Sequence, residues 1–526
     1  MQSIIVSTKE DEPTGDPVKV VYHYEPLSSG NKTRLLTIEA ALDQSEPIQC
    51  RLTQSSDLSN DDYQTLSYAW GPTYSDGSHL THRVVCDGGL IAVTANLHGA
   101  LLQIRQDYAF NGIDASTLPL WCDALCINQV DLEERSKQVR LMGEIFANSS
   151  RLIIWLGTFE HGEVFRILLE YGDDEQRYAS LPPAEVHLDI LFVFKELLTK
   201  SYFTRRWAIQ EVFLTPESRR WVFLGDQAFL YQTLERVVER FQLRAATSFF
   251  GSWSSAYGPE LESDALMPRQ THLRSLLRNL DVFSAAECSD DRDRVFSLLS
   301  ISTNFEEGLH SVVEPNYALT TEQLYLKLAV RLATSSHHAV GLLACAAARA
   351  PTPGCTRSLP SWVPDWRVST YNGSAIRHTM SMILHDCTPG VNCDGDAKCP
   401  YALDTSPYVS SDGKILRILG HVTRKPLNDN DMARRPALTE SQTYLLLSSS
   451  PTAFLLEAVA GKAHQPGNAT FQLLACHNVT YPADTVDKVY EAERRRHKNR
   501  RPTTDRVWLH WQARLRSIPS RWISLA

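Results

Sequence analysis

The sequence predicts an α/β fold, with a mainly parallel sheet flanked by helices. A mainly helical region follows, and then a mixed, loop-rich C-terminal region. Two observations predict the sheet. Short apolar runs alternate with amphipathic, capped helical stretches between residues 63 and 213, in the order strand, helix, strand, helix, strand. The later runs are nearly continuous in apolar residues, as strands covered on both faces are.

The stretch from Val18 to Leu58 reads as a lead-in of short strands, with Arg34–Ile38 following a turn at Ser28–Asn31. In Tyr63–Trp70, Leu66, Tyr68 and Trp70 share one face of a strand that Gly71-Pro72 stops. Asp87-Gly88-Gly89 predicts a hairpin between Arg83–Cys86 and Leu90–Val93. Asn96 can cap a helix carrying Leu97, Leu101, Leu102 and Ile104. The run Leu120–Cys126 reads as a buried strand, which would hold Cys122 and Cys126 about 13 Å apart and make them inert thiols. Asp131-Leu-Glu-Glu134 has the form of a capping box, opening a helix with Val139, Met142, Ile145 and Phe146 on one face. Leu152–Gly157 is the next strand. Helices are expected over Val186–Leu198 and from Tyr202 to Val212.

These elements divide the chain into a tail with lead-in strands (1–62), the α/β core (63–213), a mainly helical region (214–350) and a variable C-terminal region (351–526). At 526 residues the chain exceeds one compact core, and about 150 residues per domain suggests two to four units. A hydrophobic share of 43% with 21% charged residues is that of a globular protein. The formal net charge of -9 argues against nucleic acid held by overall basicity. The start of the chain is polar and acidic, and its most apolar stretch, Ala339–Ala348, is about half a membrane span, so neither secretion nor membrane insertion is expected. Eleven scattered cysteines fit reduced thiols in the cytoplasm or nucleus. The basic run Arg494–Arg501 reads as a solvated helix end or an import signal. His385, Cys387, Cys393 and Cys399 could fold around zinc, but they lack the Cys-x-x-Cys knuckle, and no metal is assigned. The chain has no Gly-x-Gly-x-x-Gly, Walker or Gly-x-Ser-x-Gly motif.

Three motifs resemble a known family. They are Tyr63-Gln-Thr-Leu-Ser-Tyr-Ala-Trp-Gly71, the stretch from Leu120-Trp-Cys-Asp-Ala-Leu-Cys-Ile-Asn-Gln129 to Ile154-Trp-Leu-Gly157, and Arg206-Trp-Ala-Ile-Gln-Glu-Val212. In order and spacing they resemble the fungal heterokaryon incompatibility (HET) domain. Asp291–Leu299, Leu359–Trp366 and Ile415–Gly420 look like segments that commonly follow it, whereas no counterpart of the family's later Gly-rich segment is visible. The resemblance implies non-self recognition and programmed cell death, through self-association or through another incompatibility or signalling protein. It also implies a core distantly similar to Toll/interleukin-receptor (TIR) domains. Some of those cleave NAD with a glutamate four residues after a tryptophan. Trp207 and Glu211 have that spacing here, although Ala208 stands where those domains have cysteine.

Glu211 has two readings on chemistry alone. On a helix it shares a face with Trp207, and a carboxylate beside an aromatic platform can stabilise the cationic ribose formed when NAD loses nicotinamide. NAD would then be a substrate, with no resident cofactor. Alternatively Trp207 anchors the helix and Glu211 pairs with Arg205 or Arg206. Ser67, Tyr68, Trp70, Gly71 and Asp123 sit at the C-terminal ends of strands, where parallel sheets bind ligands. With Trp207 they form the expected binding set, although Tyr68 and Trp70 could equally belong to the core. The chain thus reads as an incompatibility effector, as a NAD glycohydrolase or as a non-catalytic self-associating scaffold. A third class is an accessory protein of another pathway.

Overall fold

The computed structural model describes residues 21–71, 79–159, 200–240, 274–303, 313–349, 358–368 and 407–423, and the strands at 442–446, 452–458, 470–478 and 520–525. Breaks fall at 29, 42, 44, 56, 115–117 and 335–338, and single residues are described between 162 and 197. Outside these lie most of the Val186–Leu198 helix expectation, the His385–Cys399 loop and the Arg494–Arg501 run. The described residues fall in two compact units. The first lies within Met1–Leu273, Ala285–Ser302 and Glu314–Leu319, and the second within Arg274–Ser284, Thr303–Val313 and Thr320–Ala526.

The first unit is built on one sheet. Its strands are β1 (Arg34–Ile38), β2 (Gln49–Gln54), β3 (Gln64–Tyr68), β4 (His82–Cys86), β5 (Gly89–Val93), β6 (Leu120–Trp121), β7 (Arg151–Trp155), β8 (Arg220–Leu224) and β9 (Gln227–Leu230), in the order β5-β4-β2-β1-β6-β3-β7-β8-β9. The core β6-β3-β7-β8 is parallel throughout, with Tyr68 opposite Trp155 and Trp155 opposite Phe223. The sheet is nevertheless mixed rather than mainly parallel. Four pairings, β1–β2, β1–β6, β4–β5 and β8–β9, are antiparallel. Tight links favour this: β4–β5 turns through Asp87 and Gly88 at positive φ, the twist a two-residue hairpin needs. The lead-in strands β1 and β2 belong to this same sheet.

Helices cover both faces. Helix α1 (Ala95–Asn111) starts at Thr94, whose hydroxyl accepts from the Leu97 amide. Asn96, the expected cap, instead donates to the Ala69 carbonyl and accepts from the Trp155 indole, binding the ends of β3 and β7 together. The run after β6 is a strand for two residues only. Asp123–Cys126 forms the short helix α2, whose first turn closes on the Cys122 carbonyl through the Leu125 and Cys126 amides. Cys122 and Cys126 are therefore close neighbours, the Cys122 amide lying 3.3 Å from the Cys126 sulfur. Both thiols are buried, and burial pushes the Cys126 thiol up to about 12.

Helix α3 (Leu132–Asn148) is capped by Asp131, which accepts from the Glu133 and Glu134 amides. Glu134 does not close the expected box. It takes both nitrogens of Arg34, at 2.6 and 3.0 Å, and the Asn128 amide. The α3 face Val139, Met142, Ile145, Phe146 is buried, and Phe146 meets Trp121 edge-on at 5.6 Å. Full burial of each such side chain contributes about 1.5–3 kcal/mol. The Tyr63 hydroxyl bonds the Ile145 carbonyl, so residues 63, 65 and 67 point toward α3, and by strand alternation Tyr68 points toward α1. Helix α4 (Arg206–Leu214) packs beside α3, and α5 (Tyr231–Arg240) follows β9.

The second unit contains helices α6 (Leu276–Val282), α7 (Thr321–Ala333) and α8 (Ala339–Ala348). A capping box of Thr320 and Gln323 opens α7. Six strands follow: β10 (Tyr408–Val409), β11 (Leu416–Thr423), β12 (Gln442–Leu446), β13 (Thr452–Ala458), β14 (Thr470–Asn478) and β15 (Ser520–Leu525). They pair in sequence, and β15 pairs back with β11, so the sheet closes on itself in the region expected to be loop-rich. The Trp362 indole bonds the Lys414 carbonyl, and Trp366 meets Tyr325 edge-on. No helix among the described residues is long and apolar enough to cross a membrane.

The Arg34–Glu134 pair tests how β1 is tied to α3. Both side chains are nearly buried, at 3% and 11% exposure. Arg34→Met leaves Glu134 uncompensated and should lower the unfolding free energy by about 3–5 kcal/mol. Arg34→Met with Glu134→Leu should recover most of it in urea unfolding. A single variant within about 1 kcal/mol of the parent, the scale of a solvated pair, would refute the assignment.

Candidate functional site

Strands β3 and β6 run in parallel from a shared start, Gln64 opposite Leu120, and the chain leaving each of them builds a cavity. After Tyr68 the chain passes Ala69 and Trp70 to Gly71, whose φ of +81° is the left-handed conformation glycine adopts freely. The Trp70 indole N–H donates to Asp123 Oδ2 at 2.9 Å, joining the exit of β3 to α2. Gln129 donates to the Asp123 carbonyl at 2.7 Å. The cavity holds about 400 Å³ and is lined on this side by Trp70, Gly71, Asp123 and Gln129.

The opposite wall comes from the start of α4. Trp207 donates to Asp293 Oδ2 at 3.1 Å, and the Tyr317 hydroxyl donates to Asp293 Oδ1 at 2.6 Å. The Arg135 guanidinium lies 3.6 Å from the centre of the Tyr317 ring and 3.5 Å from Asp290. Burial raises the Asp293 carboxyl, with Asp290 adding to the rise, and the bonds from Tyr317 and Trp207 oppose it. Burial also pushes the Cys288 thiol on this wall up to about 12, leaving it a poor nucleophile. Arg205, just before α4, lines the cavity as well.

Behind Arg205 lies Glu211. Its carboxylate accepts two bonds from Arg205, at 3.2 and 3.3 Å, and one from the Ser67 hydroxyl. Because Ser67 donates to Glu211, the Tyr202 hydroxyl donates to Ser67, at 2.9 Å. Glu211 is 2% exposed. Burial raises its carboxyl above the ordinary range against the pull of Arg205 and Ser67, and Asp123 adds to the rise. Asp123 is raised for the same first reason, opposed by Arg205 and Trp70. A buried acid and a half-buried one thus depend on one guanidinium.

The residues expected from sequence separate into two layers. Trp70, Gly71, Asp123 and Trp207 line the cavity. Ser67, Tyr68 and Glu211 are buried, and none of the three lines it. Arg205 stands between Glu211 and the space a ligand would fill. Sequence reasoning had Arg205 only as one of two pairing partners, and it missed Arg135, Asp293 and Tyr317. The signal for Asp293 was present in Asp291-Arg-Asp-Arg-Val-Phe296, where a charged residue enters an apolar helical turn. Nothing in the sequence pointed to Tyr317. Among the described residues no cluster of His, Cys, Asp or Glu is arranged to hold a metal ion. The arrangement can clasp a flat ring against indole walls and present charged groups at its edge.

Residues 63–211 match the family described as heterokaryon incompatibility protein (HET). The chain is 24% identical over 397 residues, 63% of its length, to heterokaryon incompatibility protein 6, OR allele, of Neurospora crassa. The alignment spans 57% of that protein. No solved structure matches.

The raised acids set a pH dependence. A carboxyl whose folded pKa is raised binds protons more tightly when folded, so its contribution is complete below the unfolded value of about 4 and is lost as pH rises through the folded value. Asp123 and Glu211 should therefore make stability fall as pH rises above the ordinary carboxylate range. Asp123→Asn removes one acid and eases the other, so urea unfolding against pH should show a flatter slope there. An unchanged slope would mean that these acids titrate normally.

Proposed function

We propose that this chain, which carries a HET domain over residues 63–211, acts in heterokaryon incompatibility as an effector of programmed cell death in non-self recognition. The name and partial similarity of the Neurospora relative support this role. One structural observation carries the view that the domain works through a ligand: the cavity where the chain leaves β3 and β6 has its indole walls fixed by carboxylates, Trp70 by the half-buried Asp123 and Trp207 by the buried Asp293. Such tethering preorganises a site, and ligands of parallel sheets bind at this edge.

The sharper reading is NAD cleavage by a TIR-like core. A carboxylate near the ribose would stabilise the cation left as nicotinamide departs. Asp123, on the cavity wall, could do this directly, and Glu211 could do it only once Arg205 yields. A second reading has its own support. Glu211 is closed in by Arg205, Ser67 and the layer behind them, the arrangement of a structural ion pair. On that reading the domain is a self-associating scaffold, and the cavity binds without turning over. Partners are then another copy or another incompatibility protein, and the place of action is the cytoplasm or nucleus.

Expression of the chain with NAD measured in the cell decides between them. The catalytic reading expects NAD to fall. It expects Asp123→Asn or Glu211→Gln to slow the loss by about a hundredfold, the scale of removing one electrostatic contact to a transition state. Melting of each purified variant must stay near the parent for that result to count. Cell death with steady NAD would establish the scaffold reading.

A further inference from the structure

Arg205 lines the cavity and keeps one edge of its guanidinium open there. A guanidinium has five N–H donors, arranged as an end-on edge and a side-on edge, each able to take an oxyanion by two bonds. Glu211 occupies the end-on edge through the two terminal nitrogens. Among the described residues no acceptor is bonded to Nε. The side chain is 15% exposed and lines the cavity, so water or ligand there can reach it.

Two acids on the same wall are held by other groups, and a third, Glu287, is exposed. Asp123 accepts from the Trp70 indole and the Ala124 amide, and Asp293 accepts from Trp207 and Tyr317. Of the other guanidiniums on the wall, Arg135 lies over the Tyr317 ring and reaches Asp290 at 3.5 Å, and Arg206 bonds the Arg294 carbonyl.

We propose that the cavity binds its ligand through an oxyanion, a phosphate or a carboxylate, held side-on by the open edge of Arg205 while Glu211 keeps the other edge. This subsite rests on the cavity being the ligand site of the domain. Glu211 and the ligand then share one positive charge, and each weakens the other's hold. Arg205 is a binding residue in this scheme, and Glu211 tunes it from behind.

The test is anion binding by the full chain, followed by thermal melting. Inorganic phosphate and acetate are titrated separately against sodium chloride at matched ionic strength. A saturable rise in melting temperature with phosphate alone assigns a phosphoryl group, and one with acetate alone assigns a carboxylate. Arg205→Lys, which keeps charge but not the forked edge, should weaken binding about tenfold or more. Glu211→Gln removes the competing charge and should tighten binding by a similar factor. The two variants therefore move in opposite directions, which a general loss of structure cannot mimic. Should Arg205→Lys fail to fold, Glu211→Gln decides alone, and binding no tighter than the parent overturns the proposal. So does the absence of a saturable shift with either anion. Because the readout is binding, phosphate binding with steady cellular NAD would sink the catalytic reading and leave the subsite standing.

Discussion

The site depends on one guanidinium balancing two carboxylates, Glu211 buried behind it and Asp123 half-buried on the cavity wall. A charge removed from water is tolerated only when it is paired and hydrogen-bonded, and Arg205 supplies this for Glu211 by direct bonds and for Asp123 through its field. The remaining pieces are placed to make that balance hold. Ser67 reaches Glu211 from the end of β3, and Tyr202 holds Ser67. The Trp70 indole and the Ala124 amide hold Asp123. In parallel register β6 stops at Trp121, opposite Thr65, and the short helix that continues it carries Asp123 to Trp70 at the exit of β3.

A second tier repeats the device. Asp293 is buried between Trp207 and Tyr317, while Asp290 is bonded by Arg292 at 2.7 and 2.9 Å and held well below the usual range against the effect of burial. Arg292 also bonds the Tyr317 and Leu319 carbonyls. The segment after residue 285 is thus fastened to the start of α4 by polar contacts, although it lies far away in sequence. The cavity wall is consequently made by residues both inside and beyond the 63–211 stretch.

Much of the central sheet was legible because burial on both faces leaves an apolar run that periodicity detects. Leu152–Trp155 and the strand ending at Tyr68 are such cases. The β4–β5 hairpin was legible from its turn chemistry. What was missed has specific causes. The Leu120–Cys126 run looked like one strand because a buried helical turn and a buried strand are equally apolar, and the chain turns at Cys122, whose carbonyl takes two amides. Asn96 was read as a cap by residue type, yet Thr94 lies two residues earlier and frees it to join two strands. In the site, the surface residues of the cavity were separable from the buried ones only in three dimensions. Glu211 and Trp207 share a helix, and still one faces the space and the other does not. Long-range partners such as Tyr317 leave no local pattern.

Among the described residues the two sheets differ in how much backbone they leave unpaired. A sheet whose last strand returns to an earlier one leaves little free backbone to template another chain. The open sheet of the first unit has two rims. One, β5, is partly occupied by the Val21–Tyr22 segment, whose Tyr22 amide bonds the Leu90 carbonyl. There Gly89 has no room for a side chain, since a Cβ would come within 2.7 Å of the Tyr22 backbone. Among the described residues the opposite rim is the four-residue strand Gln227–Leu230, a short ledge of unpaired backbone.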